Sequence, residues 1–282
     1  MAAIEFRALD QDLDRWLSED IGTGDLTSFL AIDRDLHGEG SIFVKEPCVV
    51  SGLIVAGRVF HRVDPELQIK FDVLDGARVE TGQRLAVVSG KLQGILSGER
   101  LALNLLQRMS GISTLTQAFV NAVSTSGAKI LDTRKTTPGL RYLEKYAVLI
   151  GGGKNHRFGL YDGILVKDNH IAAVGSVRDA VKQIKRDAPH YLKIEVEVSN
   201  TAELKQAIEA GADAVLLDNM SNEQLEEAVT IVAGRITTEA SGNITLERVH
   251  SVAQTGVDLI SVGALTHSNR AIDISLRLAK SF

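Results

Sequence analysis

Beyond Lys129 the apolar residues gather into six short, nearly unbroken runs: KILDT, GILVK, KIEVEV, AVLLD, ITTEA and LISVG. Runs of this length, closed off by polar residues or glycine, predict strands with both faces buried. Between them, VRDAVKQIKRD, TAELKQAIEAG, NEQLEEAVTIVAG and TLERVHSVAQTG repeat their apolar positions with the period of a helix. Gly211, Gly234 and Gly256 stand at the ends of three of these stretches, where a left-handed cap belongs. The alternation predicts a parallel α/β array, and six strands fall short of the eight in a closed barrel. The expected fold class is α/β with an incomplete (β/α) barrel, and an open doubly wound sheet is the alternative.

The N-terminal part has a different rhythm. Asp10 to Asp20 predicts a short helix, followed by a glycine-containing loop, DIGTGDLTS. SIFVKE, LQIKFDVL and RLAVVSG are strand-like, with Ile69, Phe71 and Val73 alternating against polar neighbours. LDGARVETGQRLAVVSG suggests a small sandwich; biotinyl and lipoyl carriers share this rhythm, but they present a lysine on a tight hairpin and none is so placed here. Near Ser97 the period becomes helical through Leu101, Leu105, Met109, Ile112, Leu115 and Phe119, with Gly111 as a break or a point of close packing.

At 282 residues, 44% hydrophobic and 24% charged, the chain can bury a full core as one large domain or as a barrel with a smaller partner. Its start, MAAIEFRALDQDLDRW, lacks the order of a signal peptide, and no apolar run approaches the ~20 residues of a membrane span. A lone cysteine, Cys48, excludes an intramolecular disulfide or a thiolate cluster, fits a reducing, cytoplasmic setting and reads as a small buried hydrophobe. The net charge of −5 argues against a nucleic-acid surface. It conceals a segment, Lys129 to Lys167, with eight Lys or Arg and three Asp or Glu. Those basic residues fall at segment ends and in glycine-rich turns rather than on one helix face. That placement predicts a pocket for a small, highly anionic ligand.

In parallel α/β folds the chemistry collects beyond the C-terminal ends of the strands. Here those ends carry Arg134 and Lys135, then Lys167, then Glu195 and Glu197, then Asp218 and Asn219, then Glu239 before Ser241-Gly242-Asn243, with Gly263 and His267 after the last run. Arginine offers a planar fork for a carboxylate and lysine a mobile point charge. Arg134, Lys135, His156, Arg157 and Lys167 supply cationic groups, whereas Glu197 and Asp218 are oxygen donors suited to Mg²⁺. Such a set suits a substrate with phosphates, a metal and a separate organic anion. Glu195 shares the face of Glu197 but lies deeper in the strand and reads as structural. GGGKNHR matches neither nucleotide-binding glycine pattern; its glycines provide for a turn before Asn155.

The segment DTRKTTPGLRYLEKYAVLIGGGKNHRFGLYDGILVKDNH is similar to the quinolinate phosphoribosyltransferase family. The likeness extends in order through DIGTGDLTS, SGERLALNLLQRMSGISTLT, IEVEV, LLDN, EASGNIT and SVGALTHS, so it covers nearly the whole chain. It implies an N-terminal open α/β sandwich over residues 1–112, a barrel domain over 113–265 and a tail, 266–282, packing back on the first domain. It further implies a homodimer with shared active sites, or a larger assembly built from it. In family terms Arg134, His156 and Arg157 grip quinolinate, and Arg100 reaches the neighbouring subunit's site. Lys135 and Lys167 line the quinolinate and pyrophosphate regions, and Glu197 and Asp218 lie near the ribose and Mg²⁺. Ser241, Gly242, Asn243 and Gly263 form the cradle for the 5-phosphate of phosphoribosyl pyrophosphate, with His267 beside it. The implied reaction makes nicotinate mononucleotide, pyrophosphate and CO₂. The competing readings are a paralogous phosphoribosyltransferase with another acceptor, a Schiff-base enzyme using Lys167, and a non-catalytic metabolite sensor.

Overall fold

The computed structural model describes residues 6–279. Its strands are β1 (His37–Val44), β2 (Cys48–Val49), β3 (Gln68–Phe71), β4 (Arg78–Val79), β5 (Arg84–Lys91), β6 (Lys129–Leu131), β7 (Ile164–Val166), β8 (Ile194–Val198), β9 (Ala214–Asp218), β10 (Thr237–Ser241), β11 (Leu259–Ser261) and β12 (Ile274–Leu278). The chain divides into two compact units. One comprises Met1–Leu115, Tyr142–Gly151 and Asn269–Phe282; the other comprises Thr116–Arg141 and Gly152–Ser268. Residues 1–5 and 280–282 of the expected N-terminal domain and its tail lie outside the described residues.

The first unit is built on an antiparallel sheet in the order β12-β1-β5-β3, with β2 and β4 as a separate pair. Along β1 the buried residues Gly40, Ile42 and Val44 alternate with more exposed ones, the pattern of a strand with one face on a core. The helix predicted from Asp10 extends over Phe6–Ile21 and buries Leu9, Leu13 and Leu17, each four residues from the last. A second helix, Leu53–Val63, begins after Gly52, whose φ of +102° is open to glycine. Asp75 caps it by accepting from the N–H groups of Gly52 and Leu53, both at 2.9 Å. The change of period near Ser97 lies inside one helix, Leu92–Ala122. Gly111 does not break it: a Cβ there would meet the Arg270 carbonyl oxygen at 2.0 Å, so close packing explains the glycine. Cys48 is buried, and loss of hydration, aided by Glu46, pushes its thiol up to about 11.

All six strands expected beyond Lys129 are present in the second unit. They run parallel in the order β6-β11-β10-β9-β8-β7. From β7 to β11 the spatial order is the chain order, and the earliest strand, β6, pairs with the last. A doubly wound sheet reverses direction at a switch point. This order instead curls round on itself and leaves one seam, between β6 and β7, as an incomplete barrel does. Lys154 bridges to Leu131 on the seam side of β6. Among the described residues, four helices between strands start on side-chain caps, from Ser176, Asn200, Ser221 and Thr245, each accepting from the N–H three residues on. No helix among the described residues is long and apolar enough to cross a membrane.

Candidate active site

The alternation of β8 decides which of its residues face the inside of the barrel. Ile194, Val196 and Val198 are buried, whereas Glu195 and Glu197 are partly accessible on the opposite face. Strand register sets Glu197 level with Leu216, and Leu216 level with Glu239. Two residues further towards the C-terminal ends, Asp218 lies beside Ser241. Together with Arg134, Lys135, His156, Arg157 and Lys167, residues Glu197, Asp218 and Ser241 line one cavity of about 330 Å³. Nine of the residues singled out in the sequence thus converge, Glu239 among them, and Thr133 and Ser261 join them.

The cationic side of this cavity is held by loop contacts. Asp132, fully buried at the end of β6, accepts from the His156 main-chain N–H at 2.8 Å and so docks the segment after GGGK against the strand end. Arg141 donates to the Thr136 hydroxyl at 2.9 Å and to the Phe158 carbonyl at 3.1 Å, tying the loops that carry Arg134 and Arg157. Thr266 donates to the Lys135 carbonyl at 2.8 Å. A Cβ on Gly263 would lie 3.1 Å from both Lys135 Cδ and His267 Nε2, so these three residues crowd one corner. Arg157 donates through Nη1 to the Gly163 carbonyl at 3.0 Å. The Nε atoms of both Arg134 and Arg157 are buried without an acceptor. Burial, and then the charge of Arg134, lower the pKa of Arg157. Two guanidinium groups that repel each other, each with a buried Nε lacking an acceptor, favour an anion between or beside them.

The acidic side has its own scaffold. Lys167 Nζ lies 2.5 Å from Glu197 Oε2. Asn219 donates from Nδ2 to Asp218 Oδ2 at 2.8 Å and accepts at Oδ1 from Asn243 Nδ2 at 3.1 Å. Asn219 and Asn243 have φ of +54° and +51°, a left-handed conformation that asparagine tolerates. Between them Gly242 has φ +92°, and a Cβ there would sit 2.2 Å from Asn219 Oδ1. Arg248 donates to the carbonyls of Met220, Gly242 and Asn243, at 2.7, 3.3 and 3.5 Å, and clamps both loops. The result is a narrow, glycine-lined turn beside a carboxylate, the shape that receives a phosphate.

Two expectations take a different form in the structure. Glu239 is not at the rim: β10 continues to Ser241, and Glu239 sits inside the barrel at 1% exposure. Glu195 does more than fill the interior, because its Oε2 lies 3.0 Å from His156 Nε2. Its match in position to Glu197, two residues apart on one inward face, was the available signal. Asn219 stood at a strand end in the sequence, but Arg248 carried no signal there, being one arginine on a helix. Arg100 is exposed on the Leu92–Ala122 helix and is not among the residues lining this cavity. Lys167 faces a carboxylate, not the apolar pocket that activates a Schiff-base lysine.

Known proteins match most of the chain. The model of the quinolinate phosphoribosyl transferase N-terminal domain matches residues 25–110, and that of the C-terminal domain matches 112–277. A probable nicotinate-nucleotide pyrophosphorylase (carboxylating) of Bacillus subtilis is 45% identical over 95% of this chain and 93% of its own. A decarboxylating quinolinate phosphoribosyltransferase of Nicotiana tabacum is 45% identical over 93% of this chain and 80% of its own. The crystal structure of NadC from Streptococcus pyogenes superposes with a TM-score of 0.96 at 41% identity, covering 99% of both chains. The paired arginines and the glycine-lined turn beside a carboxylate lie within the matched C-terminal domain, the N-terminal domain matches as well, and the chain belongs to the quinolinate phosphoribosyltransferases.

Proposed function

We propose that the chain joins quinolinate to phosphoribosyl pyrophosphate and releases nicotinate mononucleotide, pyrophosphate and CO₂, a step in NAD biosynthesis. The observation that carries this reading is the arginine pair lining the cavity, Arg134 and Arg157, each half-buried with a buried Nε that lacks an acceptor. A planar aromatic diacid supplies two carboxylates at a fixed separation, and two guanidinium forks match it. Across the cavity, Glu197, Asp218 and the turn at Ser241-Gly242-Asn243 suit a phosphorylated ribose. Family membership supports both halves of the assignment.

The residues act by placement and charge. Arg134 and Arg157 orient the diacid so that its ring nitrogen attacks ribose C1 while the bond from C1 to the pyrophosphate oxygen breaks. Lys135 and Lys167 draw the negative charge that accumulates on the departing pyrophosphate. Glu197 and Asp218 face the positive character that develops at the ribose. Once the nitrogen is quaternary, the C2–carboxylate bond breaks, its electron pair remains at C2 beside the cationic nitrogen, CO₂ departs and C2 takes up a proton. One oxygen of Glu197 meets Lys167 and one of Asp218 meets Asn219, leaving a second oxygen on each. Two such hard donors fit Mg²⁺ completed by substrate oxygens and water. Held there, the ion would neutralise charge on the pyrophosphate. We assign the 5-phosphate to Ser241, Gly242, Asn243, Gly263 and His267. Arg100 acts in the pocket of a second copy, in a homodimer with shared sites. The setting is a reducing cytoplasm.

The direct test supplies quinolinate labelled at the 2-carboxylate. Labelled CO₂ that appears only when phosphoribosyl pyrophosphate is present supports the assignment. Nucleotide formation from nicotinate with no CO₂ from quinolinate would replace it with a paralogous acceptor.

A further inference from the structure

We propose that Glu195 is a positioning residue for the acceptor side of the reaction: it fixes the imidazole of His156 and, through that ring, the main chain and guanidinium of Arg157. This rests on the reading that the Arg134–Arg157 side of the cavity takes quinolinate. The chain of contacts starts at the Arg157 N–H, which donates to His156 Nδ1 at 2.7 Å. An Nδ1 that accepts carries no proton, so in the neutral ring the proton is on Nε2. Nε2 in turn lies 3.0 Å from Glu195 Oε2 and 3.7 Å from Glu239 Oε1. The His156 main-chain N–H is held separately by Asp132 at 2.8 Å. Ring and backbone are thus fixed at three points, and Arg157 follows directly in the chain.

His156 lines the cavity, and both its ring nitrogens are engaged inside the protein. A ring held so also holds its neighbour. Arg157 projects from that anchored backbone with a buried Nε that has no acceptor, the feature most sensitive to small displacement. His156 and Glu195 are 13% and 14% exposed, and Glu239 is 1% exposed, so the network is shielded from water. Burial and the neighbouring Glu195 charge push Glu239 up to about 8. Glu239 therefore keeps its proton at neutral pH, and Glu195, at 3.0 Å against 3.7 Å, is the nearer acceptor for the ring.

His156, Glu195 and Glu239 each bring a ligand-type atom within 4.8 Å of the others, which also resembles a metal site. The ring argues against that. With Nδ1 accepting from Arg157 and Nε2 bound to a cation, the imidazole would have lost both protons. A neutral ring donating to Glu195 needs no such step.

Steady-state kinetics with each substrate varied in turn test the proposal. Glu195→Ala should raise the KM for quinolinate about tenfold or more while the KM for phosphoribosyl pyrophosphate stays within about twofold. Glu195→Gln should restore the quinolinate KM to within about threefold, because its amide oxygen still accepts from Nε2. Equal changes in both KM values, or a glutamine variant as impaired as alanine, would overturn the positioning role. Should Glu195→Ala fail to fold, ¹⁵N-histidine NMR of the wild-type protein decides. The His156 signal, assigned by its loss in His156→Asn, should show a proton on Nε2; a proton on Nδ1, or a retained stoichiometric metal, would overturn the proposal. The tautomer does not depend on turnover, so failure of the substrate assignment is seen separately, as a wild-type enzyme that leaves quinolinate unchanged.

Discussion

Replacing Glu239 by glutamine should alter how the stability of the fold responds to pH. Burial, and then the charge of Glu195, push this carboxyl up to about 8 from an ordinary 4.5. Between those values the unfolded chain has released the proton and the folded chain still holds it. The folded state then binds more protons, so the stability is fullest below 4.5 and declines as pH rises towards 8. A single carboxyl shifted this far and acting alone would account for about 4–5 kcal/mol across that window. Relaxation and partial hydration around the ionised carboxylate reduce that cost, and about 2 kcal/mol is the expected change. Glutamine keeps the shape, and its amide can donate to Glu195 as the protonated carboxyl does, but it cannot ionise. The other titratable groups facing this position, Glu195 and His156, are the same in both proteins. By scanning calorimetry the two should melt together at about pH 5, and the variant should melt about 4–8 °C higher at about pH 8.5. Parallel melting curves across the range would refute a buried carboxyl that holds its proton.

Arg134→Ala should lower kcat/KM for quinolinate by about 2–4 kcal/mol of transition-state stabilisation while leaving the melting temperature close to wild type; turnover within a few-fold of wild type would remove Arg134 from the site. Activity should vanish in EDTA and return with Mg²⁺ or Mn²⁺, because Glu197 and Asp218 each keep an oxygen to offer a hard cation; full activity in the chelator would exclude that role. Arg100→Ala and Arg157→Ala should each be nearly inactive alone. Refolded together they should recover roughly a quarter of the sites, since a mixed dimer collects both lesions in one pocket and none in the other. No recovery, with mixed dimers shown by mass spectrometry, would place Arg100 outside the partner's pocket.

The barrel strands and the set of residues at their ends were readable in the sequence because both depend on local pattern. A run such as AVLLD declares a buried strand by itself, and whatever polar residue follows it must emerge at the C-terminal rim. Depth along a strand was less readable. β10 runs two residues past Glu239, which places that carboxyl about 7 Å below the rim. Its neighbour Glu195 gains its role from His156, 39 residues earlier in the chain, and no spacing rule reaches that far. The same limit applies to Tyr142–Gly151. This segment groups with the first unit, where Tyr142 donates to Asp12 and Tyr146 to Asp75 across 130 and 71 residues.

The turns beyond β9 and β10 show where local and non-local information meet. Gly242 could be expected to take a left-handed turn, and asparagine is the residue that best tolerates the same conformation at positions 219 and 243. Each turn is therefore written in its own few residues. Their cross-link is not. The bond between Asn219 Oδ1 and Asn243 Nδ2 exists because β9 and β10 pair with Asp218 opposite Ser241, bringing the residues just beyond each strand end side by side. Asn219 N–H donates to the Ser241 carbonyl at 2.9 Å, and Arg248 then closes over Met220, Gly242 and Asn243. Through Asn219 Nδ2 the same network holds Asp218. A disturbance at the Gly242 turn therefore reaches the Asp218 carboxylate through one side chain, and Asn219 couples the two although it does not line the cavity itself.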